Sequence, residues 1–156
     1  MCSSDLASGG DDILYGGLGD DELYGKGGRD VILGGSGNTA STARDLLSGG
    51  DGEDILVGGT TVYDTRRDVL RRIADEWNRS DLGYADRIDH ITGETDGGLN
   101  DNFRLRAKET NDDFRRDVLR GEAGRDVFFY TKSTSGTSTL IDVLVDAEDN
   151  ERQIEQ

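Results

Sequence analysis

The chain has 156 residues, 33 acidic against 18 basic side chains, a net charge of −15, and 23 glycines with no proline. This is one domain's length; the single cysteine excludes a disulfide framework and thiolate metal clusters, and the acid excess argues against nucleic acid as a partner. No stretch is apolar enough to span a membrane, and Leu, Ile, Val and Phe total 35, so the chain compacts only if something neutralises its carboxylates.

Residues 1–6 have neither a basic n-region nor an apolar h-region and are not a signal peptide. They read as a leader, either non-native or lipoprotein-like, and Cys2 carries no functional weight. A period of nine follows. Gly16-Gly17-Leu18-Gly19-Asp20-Asp21-Glu22-Leu23-Tyr24 precedes Gly25-Lys26-Gly27-Gly28-Arg29-Asp30-Val31-Ile32-Leu33. The pattern returns as Gly49-Gly50-Asp51-Gly52-Glu53-Asp54-Ile55-Leu56-Val57 and as Gly121-Glu122-Ala123-Gly124-Arg125-Asp126-Val127-Phe128-Phe129. A weaker copy ends at Tyr15, with Asp12 and Leu14 in register. Two copies are interrupted: Gly34-Gly35-Ser36-Gly37 waits for Asp45, and Gly58-Gly59 waits for Asp117. The first interruption is a small insertion at 39–44; the second makes residues 60–116 one insertion inside a single turn.

Glycine at the first, second and fourth places permits positive φ and brings carbonyl oxygens together. The aspartate at the sixth place adds a carboxylate, giving an all-oxygen donor set suited to Ca2+ rather than zinc or copper. The last three places form a strand whose middle residue points inward. Those residues are Leu14, Leu23, Ile32, Leu56 and Phe128. A flexible acidic linker would not keep a large apolar residue two places after each aspartate.

These nonapeptides resemble the RTX (haemolysin-type) calcium-binding repeats. The resemblance implies a mainly β fold: a parallel β-roll, two repeats per coil, with Ca2+ between successive turns. The implied metal-site residues are Asp12; Gly16, Gly17, Gly19 and Asp21; Gly25, Gly27 and Asp30; Gly34, Gly35, Gly37 and Asp45; Gly49, Gly50, Gly52 and Asp54; Asp117; and Gly121, Gly124 and Asp126. The roll would occupy 7–59 plus 117–145, and 146–156 would be an acidic tail. The row of Asp12, Asp30, Asp54 and Asp126 has uninterrupted turns and should hold the best-occupied sites. The family also implies a bacterial module that is extracellular or at the cell surface and folds on binding Ca2+. The alternative is the calcium-dependent C-terminal region of a secreted protease or lipase.

One sheet would take strands beginning at Ile13, Val31, Ile55 and Val127, whose outward residues are all apolar, and such a face needs a cover. The insertion is the expected cover, with a protein partner on that face if it fails. Thr65-Arg66-Arg67-Asp68 has capping-box character, followed by a helix burying Val69, Leu70, Ile73, Ala74 and Trp77, with Glu76 and the arginines outside. A second helix would carry Tyr84, Ala85, Ile88 and Ile91 inward and end at Gly93. Phe103-Arg104-Leu105 reads as a short strand, 131–139 as a Ser/Thr loop, and 139–145 as a strand closing the open end. No enzyme chemistry is expected: His90 is the only histidine and reads as a surface residue, and there is no HExxH pair. Carboxylate pairs such as Asp20/Asp21 belong to the calcium turns.

Overall fold

A computed structural model describes residues 3–36, 44–113, 115–131, 142–147 and 151–156. Gly37, Cys2, residues 39–43 of the small insertion and residues 132–141, including the start of the expected closing strand, lie outside the described residues. The fold is mainly β with parallel sheets, consistent with a β-roll. Sheet I takes β1 (Ser3–Leu6), β3 (Asp21–Gly27), β5 (Leu46–Asp51), β9 (Val118–Ala123) and β11 (Val143–Leu144), in that order. Sheet II takes β2 (Ile13–Leu18), β4 (Val31–Ser36), β6 (Ile55–Val57), β10 (Val127–Tyr130) and β12 (Arg152–Glu155). Each strand pairs with the one a full coil away, in register: Leu14 with Ile32, Ile32 with Leu56, Leu56 with Phe128.

That register follows from the alternation of side chains along each strand, since a one-residue slip would turn the apolar set outward. Leu14, Ile32, Leu56 and Phe128 from sheet II meet Leu23, Leu47 and Leu119 from sheet I in one buried cluster. A second cluster lies on the outer face of sheet II. Val31, Leu33, Ile55, Val57, Val127 and Phe129 are buried there together with residues of α1 (Arg67–Trp77) and α2 (Tyr84–Thr92). Ile13 and Tyr15 of β2, expected under the same cover, are 40% and 41% exposed, on the wall of a groove that leaves them open opposite α1. The outer face of sheet I carries exposed Glu22 and Arg120, though Ser48 is buried, its hydroxyl donating to Glu122 Oε1 at 2.5 Å.

Several local expectations are corrected. The capping box does not form: α1 begins at Arg67 with Arg66 at the cap and no side-chain cap bond, because Asp68 pairs with Arg66 at 2.9 Å instead. Glu76 is fully buried, and Arg87 rather than Ala85 faces inward on α2. Phe103-Arg104-Leu105 is not a strand; its Leu105 N–H donates to the Ile91 carbonyl, tying this segment to the end of α2. The insertion's strands are instead β7 (Thr60–Thr61) and β8 (Thr110–Asn111), an antiparallel pair closing its base. Arg152–Glu155, placed in an acidic tail, forms strand β12, and Ser3–Leu6 of the leader forms β1. Gly93 ends α2 in the left-handed conformation, φ 78°, as expected.

Candidate metal centre: two ladders of aspartates

The turns leave sheet II at Gly16, Gly34 and Gly58 and enter sheet I after Asp21, Asp45 and Asp117. The opposite turns start at Gly25, Gly49 and Gly121 and enter sheet II after Asp30, Asp54 and Asp126. Each turn's aspartate donates its N–H to the next aspartate in the row. Along one edge Asp12 donates to Asp30 Oδ1 at 2.7 Å, Asp30 to Asp54 at 2.8 Å, and Asp54 to Asp126 at 2.8 Å. Along the other, Asp21 donates to Asp45 at 2.8 Å, Asp45 to Asp117 at 2.8 Å, and Asp117 to Asp142 at 2.9 Å.

One oxygen of each carboxylate is thereby spent on the backbone; the other behaves differently. Oδ2 of Asp30, Asp45, Asp54 and Asp126 is buried with no hydrogen-bond partner. Unsatisfied buried oxygens are costly and call for an unseen donor or cation. They lie against the first glycine of their own turn: a Cβ at Gly34 would stand 2.8 Å from Asp45 Oδ2 and 2.7 Å from the Gly58 carbonyl oxygen. At Gly25 it would collide with Asp30 Oδ2 and come within 2.6 Å of the Gly49 carbonyl oxygen, while Gly49 and Gly121 lie against the carboxylates of Asp54 and Asp126. Gly16 repeats this arrangement beside Asp21 and the Gly34 carbonyl. Carboxylate and carbonyl oxygens thus converge where a side chain would have stood.

Burial drives these carboxylates up, and neighbouring acids add to it, against the opposing effect of the backbone hydrogen bonds. Asp30 rises to about 6, Asp45 and Asp54 to about 7, Asp126 to about 8 and Asp117 to about 9. Among the described residues no three acidic, His or Cys side chains converge on one point. Any cation here would therefore draw most of its oxygens from the backbone, which suits a hard ion and disfavours zinc or copper.

The RTX calcium-binding nonapeptide repeat family matches the chain in four copies, over residues 6–40, 39–60 and 113–130, just under half of its length. Those segments are RTX calcium-binding nonapeptide repeats. Repeats of the RTX family bind Ca2+. No curated protein and no solved structure matches the chain.

The RTX pattern also shows what sequence reading missed. In the Gly25–Asp30 turn the Gly27 carbonyl accepts the Gly10 N–H at 2.6 Å, and the fourth-place residue is Gly28, with φ 125° and its backbone against the Gly10 carbonyl. Gly52 and Gly124 stack above it in the same conformation, φ 147° and 148°. Gly17, Gly35 and Gly50 take positive φ at the second place, where Lys26 and Glu122 do so without glycine's freedom. Asp142 continues one ladder, and Glu151 stands at the aspartate position of the other, because Arg152 N–H donates to the Asp126 carbonyl as Val127 N–H does to that of Asp54. Two signals were available: Asp142-Val143-Leu144 repeats Asp117-Val118-Leu119, and Glu151 follows Asp142 by nine positions.

Proposed function

We propose that this chain is a non-catalytic calcium-binding module of a secreted or cell-surface bacterial protein. Its architecture is read as a β-roll solenoid over 7–59 and 117–145, with residues 60–116 as a helical insertion covering sheet II. The observation that carries this is the set of buried, unpartnered Oδ2 atoms of Asp30, Asp45, Asp54 and Asp126, each against the first glycine of its turn, with a glycine carbonyl beside those of Asp30 and Asp45. When bound, Ca2+ would supply the positive charge those oxygens lack. The chain's own part is to hold Asp12, Asp21, Asp30, Asp45, Asp54, Asp117 and Asp126 in ladders and to bring the first-place glycine carbonyls beside them. Asp142 differs: its Oδ1 accepts from Asp117 and its Oδ2 from Thr131 N–H at 2.8 Å, so the backbone satisfies that end of the row. The uninterrupted row of Asp30, Asp54 and Asp126 is the stronger binder.

With several carboxylates buried side by side and a thin core between the sheets, metal binding free energy becomes folding free energy. Extracellular calcium modules bind at roughly 10⁻⁴–10⁻³ M, so the chain would be loose at cytosolic calcium and ordered outside the cell. The test is a calcium titration followed by far-UV circular dichroism and Trp77 fluorescence, with magnesium as control. The β signal and a blue shift of Trp77 should rise together with Ca2+ and not with Mg2+. A chain fully ordered in chelator that takes up no calcium would overturn the proposal.

A further inference from the structure

The segment that interrupts the Gly58 turn returns to that same turn before it ends. After Gly59 the chain enters β7 and comes back through β8, with Asn111 paired to Thr60. The Asn111 carbonyl then packs on the Cα of Gly59, where a side chain could not fit, and the backbone nitrogen of Asp113 lies 3.2 Å from where a Cβ of Gly59 would stand. Gly59, unlike Gly17, Gly35 and Gly50, does not take positive φ, so this turn departs from the others at its second place. Asp113 is thereby delivered to the ladder of Asp45, Asp117 and Asp142. Its Oδ1 accepts the Arg115 N–H at 2.9 Å, which fixes the carboxylate. Beyond the effect of burial, the charge of Asp113 pushes up the carboxyls of Asp45, Asp117 and Asp142 alike, so it stands close to all three. Those three are at most 6% exposed. Asp45 Oδ2 has no hydrogen-bond partner and shares with the Gly58 carbonyl the space in front of Gly34. A further carboxylate brought to buried ones raises the cost of leaving them without a cation.

We propose that Asp113, supplied by the insertion rather than by a nonapeptide, is a calcium ligand on this ladder beside Asp45 Oδ2 and the Gly58 carbonyl, so that one ion is held jointly by roll and insertion. This rests on the calcium reading above and adds to it a ligand that the repeat pattern does not contain. Two carboxylates and a carbonyl leave the other oxygens of a six- to eight-coordinate ion to the backbone and to water, which suits Ca2+. Calcium at the interrupted turn then ties down the base of the insertion, as the contacts of α1 and α2 tie down its far end on sheet II.

The test is calcium titration of the whole chain by calorimetry and heteronuclear NMR, wild type against Asp113→Asn, in about 0.5 M salt so that distant charges are screened. Asp113→Asn keeps the oxygen that accepts from Arg115 and should weaken one binding step by at least about tenfold, in keeping with loss of a charged ligand. Asp75→Asn makes the same charge change at an exposed position of α1 and should change every step less than about twofold. The amide of Gly59, which follows the Gly58 carbonyl, should titrate at the weakened step, while that of Gly50, on the other ladder, should follow wild type. If Asp113→Asn does not fold, Asp113→Ser, which also keeps an oxygen for the Arg115 N–H, is read in its place. A wild-type chain that takes up no calcium would sink the calcium reading and this inference with it. A wild-type chain that binds, with the Asp113 variant matching Asp75→Asn or weakened equally at Gly59 and Gly50, would overturn this inference alone.

Discussion

Trp77 donates its indole N–H to the carbonyl oxygen of Glu53 at 2.6 Å, joining the last turn of α1 to the residue before Asp54. The Glu53 carboxylate gathers three arginines: Arg29 at 3.2 Å, Arg125 at 2.7 Å, and Arg87, the only one of them fully buried. Arg87 also donates to the Trp77 carbonyl at 2.7 Å and lies 4.8 Å over the indole ring. On the neighbouring turn the Tyr84 hydroxyl donates to the Asp126 carbonyl at 2.8 Å. The helices are therefore fastened to the backbone carbonyls of Glu53, next to Asp54, and of Asp126 itself, and burial of Trp77 reports the order of that ladder.

Burial works against the Glu53 charge, yet hydrogen bonds from Arg87 and Arg125 hold its carboxyl below the usual range. Removing that charge strands the guanidinium of Arg87 in a dry site, where breaking a buried pair costs about 3–5 kcal/mol. Glu53→Gln should therefore destabilise the calcium-loaded protein by about that much, whereas Trp77→Phe, which forfeits one hydrogen bond, should cost nearer 1 kcal/mol beyond any packing loss. Urea unfolding at saturating calcium measures both. Equal losses would show that the Trp77 hydrogen bond, and not the arginine cluster, holds the helices down.

The ladder aspartates make metal-free stability depend on pH in an unusual direction. Their carboxyls stand at about 6 for Asp30, 7 for Asp54 and 8 for Asp126 in the folded chain, against 3.8 for an unperturbed aspartate, with burial as the main cause. Between those values the folded state binds more protons than the unfolded one, so unfolding free energy falls as pH rises. The contribution is complete below about 4 and is lost progressively as pH passes 6, 7 and 8. In chelator any folded population should be larger, and melt at a higher temperature, at pH 5 than at pH 8. With saturating calcium the order should reverse, because the cation competes with those same protons. Thermal melts at the two pH values, with and without calcium, test the sign directly.

The sequence made the stacking legible because a large apolar residue two places after each aspartate admits a single pairing register, and Leu14, Ile32, Leu56 and Phe128 occupy it. The buried face of α1 was legible for the same reason of period. What escaped depended on partners distant in sequence. Nothing beside Glu76 announces burial; it is settled by His90, whose Nδ1 lies 2.5 Å from Glu76 Oε1, and by the Leu99 N–H at 2.6 Å. Hence His90, read as a surface residue, is half-buried against that carboxylate. Arg87 is drawn inward by a carboxylate 34 positions away. The last coil was hidden because no glycine lies between Asp142 and Glu151, so a register read from glycines stops too early.

Asp20 and Asp30 are both turn aspartates, and the structure separates them sharply. Asp30 is fully buried, holds the Asp12 N–H through Oδ1, and turns Oδ2 toward the carbonyl of Gly49. Asp20 sits one place too early, partly exposed and outside the ladder. Asp30→Ala should therefore weaken calcium binding at its turn by at least about tenfold, in keeping with loss of a charged oxygen ligand whose place no neighbour can take. Asp20→Ala removes only a distant surface charge and should change it less than about threefold. Isothermal titration with calcium on both variants distinguishes them, read at low ionic strength and again in 0.5 M salt, an approximate strength at which surface effects fade. If the two variants lose equal affinity in high salt, the buried ladder is not where the cation binds.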